Sequence, residues 1–151
     1  MTDIEIVVAK EEHAAIVGGL VHDLIGELSD GQADAPQHYR NTAALVLQLP
    51  GVTGALAIRA GQPVGVILLN QCAAIYAGGR FGEITELYVV PEARSGGIAA
   101  QLVEWAIAQG RAYNWNRLEV GAPQQPRWRR SLDFYLRTGF VEVGPRLRLA
   151  L

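Results

Sequence analysis

Lysine is nearly missing from this 151-residue chain: Lys10 stands alone against twelve arginines. A Walker nucleotide-binding loop requires a lysine after its glycines, so that fold of phosphate site is excluded. Cysteine is just as scarce. Cys72 is the only one, which rules out an internal disulfide and a cysteine-based metal centre. It reads as a small buried hydrophobe, and its isolation fits a reducing cytoplasm. His13, His22 and His38 show no H-E-x-x-H spacing, so no metal is expected. No apolar run approaches the roughly 18 residues of a membrane span. No basic segment followed by an apolar run opens the chain, so no signal peptide is expected. A net charge of −2 gives no reason to expect a nucleic-acid partner. Repeats and low-complexity segments are absent as well. What is present is 50% hydrophobic residues and a length suited to one domain over residues 1–151. The arginine excess, with abundant Ala and Gly, suggests a GC-rich bacterial genome.

Periodicity predicts the elements in order. Ile4 to Val8 alternates as a strand. In Lys10 to Leu28, residues Val17, Leu20, Val21, Leu24 and Leu28 share one helical face, with Gly18-Gly19 marking either close packing or a bend. Ser29 to Pro36 is a loop, and Gln37 to Leu49 a second helix closed by Pro50-Gly51. Val52 to Arg59 and Val64 to Tyr76 form two strands around a turn at Ala60 to Pro63, and Ala77 to Arg80 turns again. A fourth strand, Glu83 to Val90, leads through Pro91 into a helix containing Ile98, Leu102, Trp105 and Ile107. Arg117 to Gly121 is a fifth strand, Ala122 to Arg127 is irregular, and Arg129 to Thr138 is a fourth helix. Phe140 to Val143 and Arg146 to Leu149 are expected as a last hairpin about Gly144-Pro145.

The chemistry concentrates where the fourth strand meets the third helix. Ser95, Gly96 and Gly97 precede Ile98, Ala99 and Ala100, so a Gly-rich turn opens a helix. The first N–H groups of a helix are unpaired and sit at the positive end of its dipole, which suits a phosphate or pyrophosphate. The spacing is not G-x-G-x-x-G, so a dinucleotide fingerprint is excluded. Arg94-x-x-Gly97-x-Ala99, after Leu87-Tyr88-Val89-Val90-Pro91-Glu92, resembles the acetyl-CoA-binding motif of the GNAT superfamily of N-acetyltransferases. Phe134-Tyr135-x-x-x-Gly139-Phe140 resembles a second motif of that family, at the right distance downstream.

The resemblance implies an α/β (α+β) fold. Its central sheet is mixed and mostly antiparallel, with strands four and five splayed and about four helices flanking it. It implies acetyl-CoA as co-substrate and a small-molecule or peptide amine as acceptor, attacked directly in a ternary complex. Homodimers occur in the family, and nothing in this chain decides the point. A non-catalytic acyl-CoA sensor is the alternative, and an unrelated domain binding ATP or NAD is a third.

Acetyl transfer needs a base for the ammonium, a donor for the oxyanion and an acid for the thiolate. Glu83 falls eleven residues before Arg94, the base position of the histone-acetylating branch, and Glu119 in Leu118-Glu119-Val120 matches that of the ribosomal-protein-acetylating branch. Glu86 is either a base or a contact for a cationic substrate. Glu83 and Glu86 share a face only if a bulge lies between them. Backbone N–H groups of Leu87, Tyr88 and Val89 are the oxyanion and pantetheine donors that the resemblance implies. Arg94 and Ser95 to Ala100 would hold the pyrophosphate. The motif match makes Tyr135 the candidate acid, with a second part in CoA contact, against a purely structural role for its hydroxyl, and Gly139 is expected to end its helix. Trp128 stands where the family often has a CoA-contacting Asn, and it either walls the groove or joins the core. Arg127, Arg129 and Arg130 either meet CoA phosphates or form a solvated face. Asp23, Glu27, Asp30 and Asp34 give the first two helices an acidic end suited to a cationic amine, or simply to solubility.

Overall fold

Alternation in the first strand sends Ile4 and Ile6 to one side of a sheet and Val7 to the other, and the computed structural model, which describes residues 3–151, carries that division across five strands. They are β1 (Ile4–Val8), β2 (Val52–Arg59), β3 (Gln62–Ala74), β4 (Gly79–Val89) and β5 (Leu118–Val120), lying side by side in chain order. β1 to β4 are antiparallel neighbours, and β5 runs parallel to β4. A parallel neighbour needs a long crossover. Here it contains helix α3 (Ile98–Ala112).

Two apolar layers follow from the two faces. On one, Ala55, Ala57, Ile67, Leu69, Ile84 and Val89 pack with Ile98, Leu102, Val103 and Ala106 of α3. On the other, Leu56, Val66, Leu68 and Tyr88 meet Val17 and Leu20 of α1 (Ala14–Leu28) and Ala43 of α2 (Pro36–Val46). Burying each large aliphatic side chain contributes about 1.5–3 kcal/mol, so these layers fix where the helices sit. The last helix, α4 (Arg129–Thr138), has the predicted limits and ends at Gly139 in the left-handed region.

The glycine pair in α1 resolves toward close packing. A Cβ on Gly18 would stand 2.5 Å from Cα of Arg40, so the α1 and α2 backbones touch there, whereas Gly19 faces open space. Several limits move by a few residues. The first helix begins with a 3-10 turn at Glu11–His13, α2 stops at Val46, and β3 and β4 start earlier than their apolar runs.

The expected last hairpin is not formed. Phe140 packs against the α3-side core, but Val141, Val143, Leu147 and Leu149 are exposed and residues 140–151 join no strand. Alternation signals a strand only when a sheet face lies against it. Here Pro145 has no N–H to give, Gly144 turns at φ 127°, and the segment is tied instead through Arg146.

Candidate active site

β4 carries the site because its pairing changes along its length. Opposite β3, Leu68 pairs with Glu86 and Leu69 with Ile84, so Thr85 is an extra residue in β4. This is the bulge on which a shared face for Glu83 and Glu86 depends. Glu83 faces Asn70 and Glu86 faces Leu68, two residues apart on β3, so both glutamates lie on the face that α1 and α2 cover.

On its other edge, β4 pairs with β5 only from Gly82 to Ile84. Beyond Ile84 the strands part, and Thr85 to Val89 have no β5 partner. The Val90 N–H donates to the Val64 carbonyl at 2.9 Å, toward β3. By alternation Tyr88 N–H points the same way, while Leu87 and Val89 N–H point into the gap. Of the three backbone donors expected there, two face the opening and Tyr88 does not. Tyr88 instead contributes a buried ring to the α1 side. Its phenol is pushed up, chiefly by burial and then by the Glu27 charge.

The gap leads to the N-terminus of α3. Gln101 N–H to Gly97 O, 3.1 Å, is the first bond of the helical ladder, so the N–H groups of Ile98, Ala99 and Ala100 precede it. Ser95 and Gly97 have φ of 66° and 80°, so the turn curls through two left-handed positions, the backbone form of an anion-binding nest. A Cβ on Gly97 would meet nothing within 4 Å, which leaves the backbone open to a ligand.

Arg94 is engaged differently. Its Nη1 and Nη2 donate to Glu27 Oε1 (2.8 Å) and Oε2 (2.7 Å), and its Nε donates to the Val89 carbonyl at 2.9 Å. Its backbone N–H donates to Pro91 O, and its guanidinium lies 5.4 Å from the Tyr88 ring centre. It straps α1 to the end of β4, and the amides after it are left for an anion.

The carboxylates converge. Glu83 and Glu119 are direct partners in the parallel β4–β5 register. Arg146 Nη1 donates to Glu83 Oε1 (2.6 Å), and Arg117 Nε donates to Glu119 Oε2 (2.8 Å), with Arg117 Nη2 2.6 Å from the same oxygen as an ion pair. Glu86 accepts a hydrogen bond from the Thr85 hydroxyl, and burial pushes its carboxyl above the usual range despite that bond. Cys72 is a correction: it is half-buried, and burial together with the charges of Glu83 and Glu119 pushes its thiol up. Asn70 Nδ2 lies 3.8 Å from its sulfur.

Tyr135 is buried, with its ring against Phe134 (5.3 Å between centres) and Phe140 (5.6 Å), both part of the α3-side core. Burial alone pushes its phenol up to about 12. Among the described residues no buried side-chain oxygen lacks a partner, and the Tyr135 hydroxyl bonds to no protein group, so it reaches accessible space.

Two arginines of the basic run are paired elsewhere. Arg127 grips Asp30, and Arg129 Nε donates to Asp133 Oδ1 at 2.9 Å. Trp128 is half-buried beneath the Arg127 guanidinium, 5.0 Å from its ring centre. The acidic end of α1 is thus partly neutralised: Glu27 and Asp30 hold arginines from two distant segments.

A model of the acetyltransferase (GNAT) family matches residues 9–140. The chain belongs to the GNAT acetyltransferase family. It is 34% identical over 131 residues to the aminoalkylphosphonate N-acetyltransferase of Salmonella typhimurium, covering 87% of this chain and 83% of the relative. Among solved structures it is similar in fold to the ribosomal-protein-alanine N-acetyltransferase of Brucella melitensis, at TM-score 0.78 and 17% identity, over 99% of each chain. An aminoglycoside N-acetyltransferase in complex with CoA superposes at TM-score 0.79 and 16% identity, over 100% of this chain and 96% of that one. The GNAT assignment makes this chain an acetyl-CoA-dependent N-acetyltransferase.

Two arginines of the site, Arg117 and Arg146, were not singled out from the sequence. Arg117 had a signal, since Arg117-Leu118-Glu119 places its charges on one face of a strand. Arg146 had none, because its partner lies 63 residues away.

Proposed function

We propose that this acetyltransferase modifies the primary amine of a small molecule by direct attack on acetyl-CoA in a ternary complex. The observation that carries the reading is the uncovered edge of β4, with Leu87 and Val89 N–H facing a gap that runs to the α3 N-terminus. An extended pantetheine arm fits such an edge as an added strand, and its diphosphate fits the amides from Ser95 to Ala100.

The residues then divide the work. Glu83 or its neighbour Glu119 accepts the proton of the ammonium, directly or through one water, leaving a nucleophilic amine. The amine nitrogen bonds to the acetyl carbon, and the Leu87 or Val89 N–H donates to the oxyanion that forms. Collapse breaks the carbon–sulfur bond, Tyr135 gives its proton to the departing sulfur, and the second proton of the nitrogen leaves through water to restore the phenol. Burial keeps the Tyr135 phenol protonated at every working pH, so the proton is in place when the carbon–sulfur bond breaks. Glu86, also on the α1 side, draws the cationic amine toward the bulge. Tyr135 is on the α3 side, so base and acid approach the gap from opposite faces.

The Salmonella relative makes an aminoalkylphosphonate the first acceptor to try. With such an acceptor, Tyr135→Phe should lower kcat by about 100-fold. The same variant should keep its thermal shift with CoA, because the ring packing is unchanged. A loss under about threefold, well below the usual contribution of a general acid, would remove Tyr135 from the mechanism.

A further inference from the structure

We infer that the acceptor carries an anionic oxyacid group as well as its amine, and that Arg146, seated over Gly121, and Arg117 hold that anion beside the Glu83–Glu119 pair. The inference rests on the amine-acetylating reading above and adds what selects the acceptor.

Along one face of β5 and its extension the positions are 117, 119 and 121, which fall two apart. Arg117 and Glu119 supply a cation and an anion, bonded to one another. The third position has no side chain of its own. A Cβ on Gly121 would stand 2.6 Å from Cδ of Arg146 and 3.1 Å from its Nη1, so glycine leaves a seat into which Arg146 lies flat. From there Arg146 reaches across to Glu83 on β4. The result is two adjacent carboxylates with a guanidinium at each end.

Both guanidinium groups keep donors in reserve. Arg146 donates only Nη1 to Glu83, and Arg117 donates only Nε to Glu119, with its Nη2 2.6 Å from the same oxygen. Their side chains are 68% and 40% exposed, which puts both guanidinium groups within reach of a ligand. Arg117 is further steadied over the Tyr76 ring, 4.8 Å from its centre. A lone amine would be served by the carboxylates alone. Cations flanking them match a zwitterion, and a planar guanidinium fork matches the paired oxygens of a phosphonate or phosphate.

The test compares two acceptors of one chain length, 3-aminopropylphosphonate and 3-aminopropanol, with acetyl-CoA saturating. The wild-type ratio of kcat/KM should favour the phosphonate by at least about tenfold, the worth of one charged hydrogen bond. Arg146→Gln should bring that ratio to within about threefold, since a neutral amide keeps a donor but no charge. Gly121→Ala, which retains both arginines but fills the seat, should lower the ratio in the same direction. n-Propylphosphonate, which has no amine, should compete with the acceptor in the wild type and not in Arg146→Gln. A wild-type ratio near one, or an Arg146→Gln change that scales both acceptors equally, overturns the inference and leaves amine acetylation standing. Transfer to neither acceptor, in protein whose melting temperature still rises with CoA, overturns the small-molecule amine reading proposed above and the inference with it.

Discussion

Glu86 is the residue whose environment and chemistry pull hardest against each other. It sits half-buried on the face of β4 that α1 and α2 cover, opposite Leu68, with the neighbouring Thr85 hydroxyl as its hydrogen-bond donor. Burial raises its carboxyl in the folded protein, and the Thr85 bond opposes that rise without cancelling it. The folded value therefore exceeds the unfolded one. Stability from this group is complete at pH values below the unfolded carboxyl, near 4.5, and is lost as pH rises through the folded value. Deprotonating this half-buried carboxyl therefore costs the fold stability. Glu86→Gln should accordingly raise the melting temperature at pH 7, and the gain should fade as the buffer approaches pH 4. Equal gains at both pH values would mean that shape, and not charge, governs this position. If Glu86 also draws the amine, the stabilised variant should show a higher KM for the acceptor, a trade that functional sites commonly show.

At the scale of elements, the two glycines of α1 are neighbours in sequence with opposite consequences. Gly18 lies where the α2 backbone passes, with Arg40 Cα 2.5 Å from any added Cβ, and nothing can yield except a whole helix. Gly18→Ala should cost about 1–3 kcal/mol in urea unfolding, the usual penalty for overpacking. Gly19 faces open space in a helix interior, so Gly19→Ala should add about 0.5–1 kcal/mol. Matching signs for the two would refute the α1–α2 contact. The sequence displayed this pair but left its meaning open, because periodicity reports which face of a helix is apolar and not how near another backbone comes. The same limit runs through the molecule. Local pattern was enough for β1, β2, α4 and the turn at Gly97, and the three-residue spacing of glutamates made a bulge the condition for a shared face, which the extra residue Thr85 meets. Local pattern failed for residues 140–149, where alternation had no sheet face to meet. It was silent on Arg146–Glu83 and Arg94–Glu27, contacts between side chains 63 and 67 residues apart. It also misjudged Cys72, whose setting depends on which strands come to flank it.

Across the whole molecule, Arg94 joins the two halves of the site. Its Nε holds the Val89 carbonyl at the edge of the gap, its two terminal nitrogens hold Glu27 near the end of α1, and the next residues form the turn before α3. The ion pair is partly exposed, with side chains 41% and 32% accessible, and pairs of that kind contribute only about 0–1 kcal/mol to stability. Its importance would then lie in geometry: it sets where the Ser95–Ala100 amides stand relative to the edge of β4. If so, the bond to Val89 matters more than the positive charge. Arg94→Gln keeps an amide donor of shorter reach and should hold CoA affinity within about threefold, whereas Arg94→Ala removes the bond and should weaken CoA by about tenfold, near the upper worth of a single neutral hydrogen bond. Isothermal titration with CoA measures both, and the melting temperatures of the unliganded variants should differ little. A phosphate ligand acting through charge would behave otherwise, since glutamine and alanine would then lose affinity alike and the loss would shrink at high salt. That pattern would make Arg94 a direct partner of the diphosphate, released from Glu27 when CoA arrives.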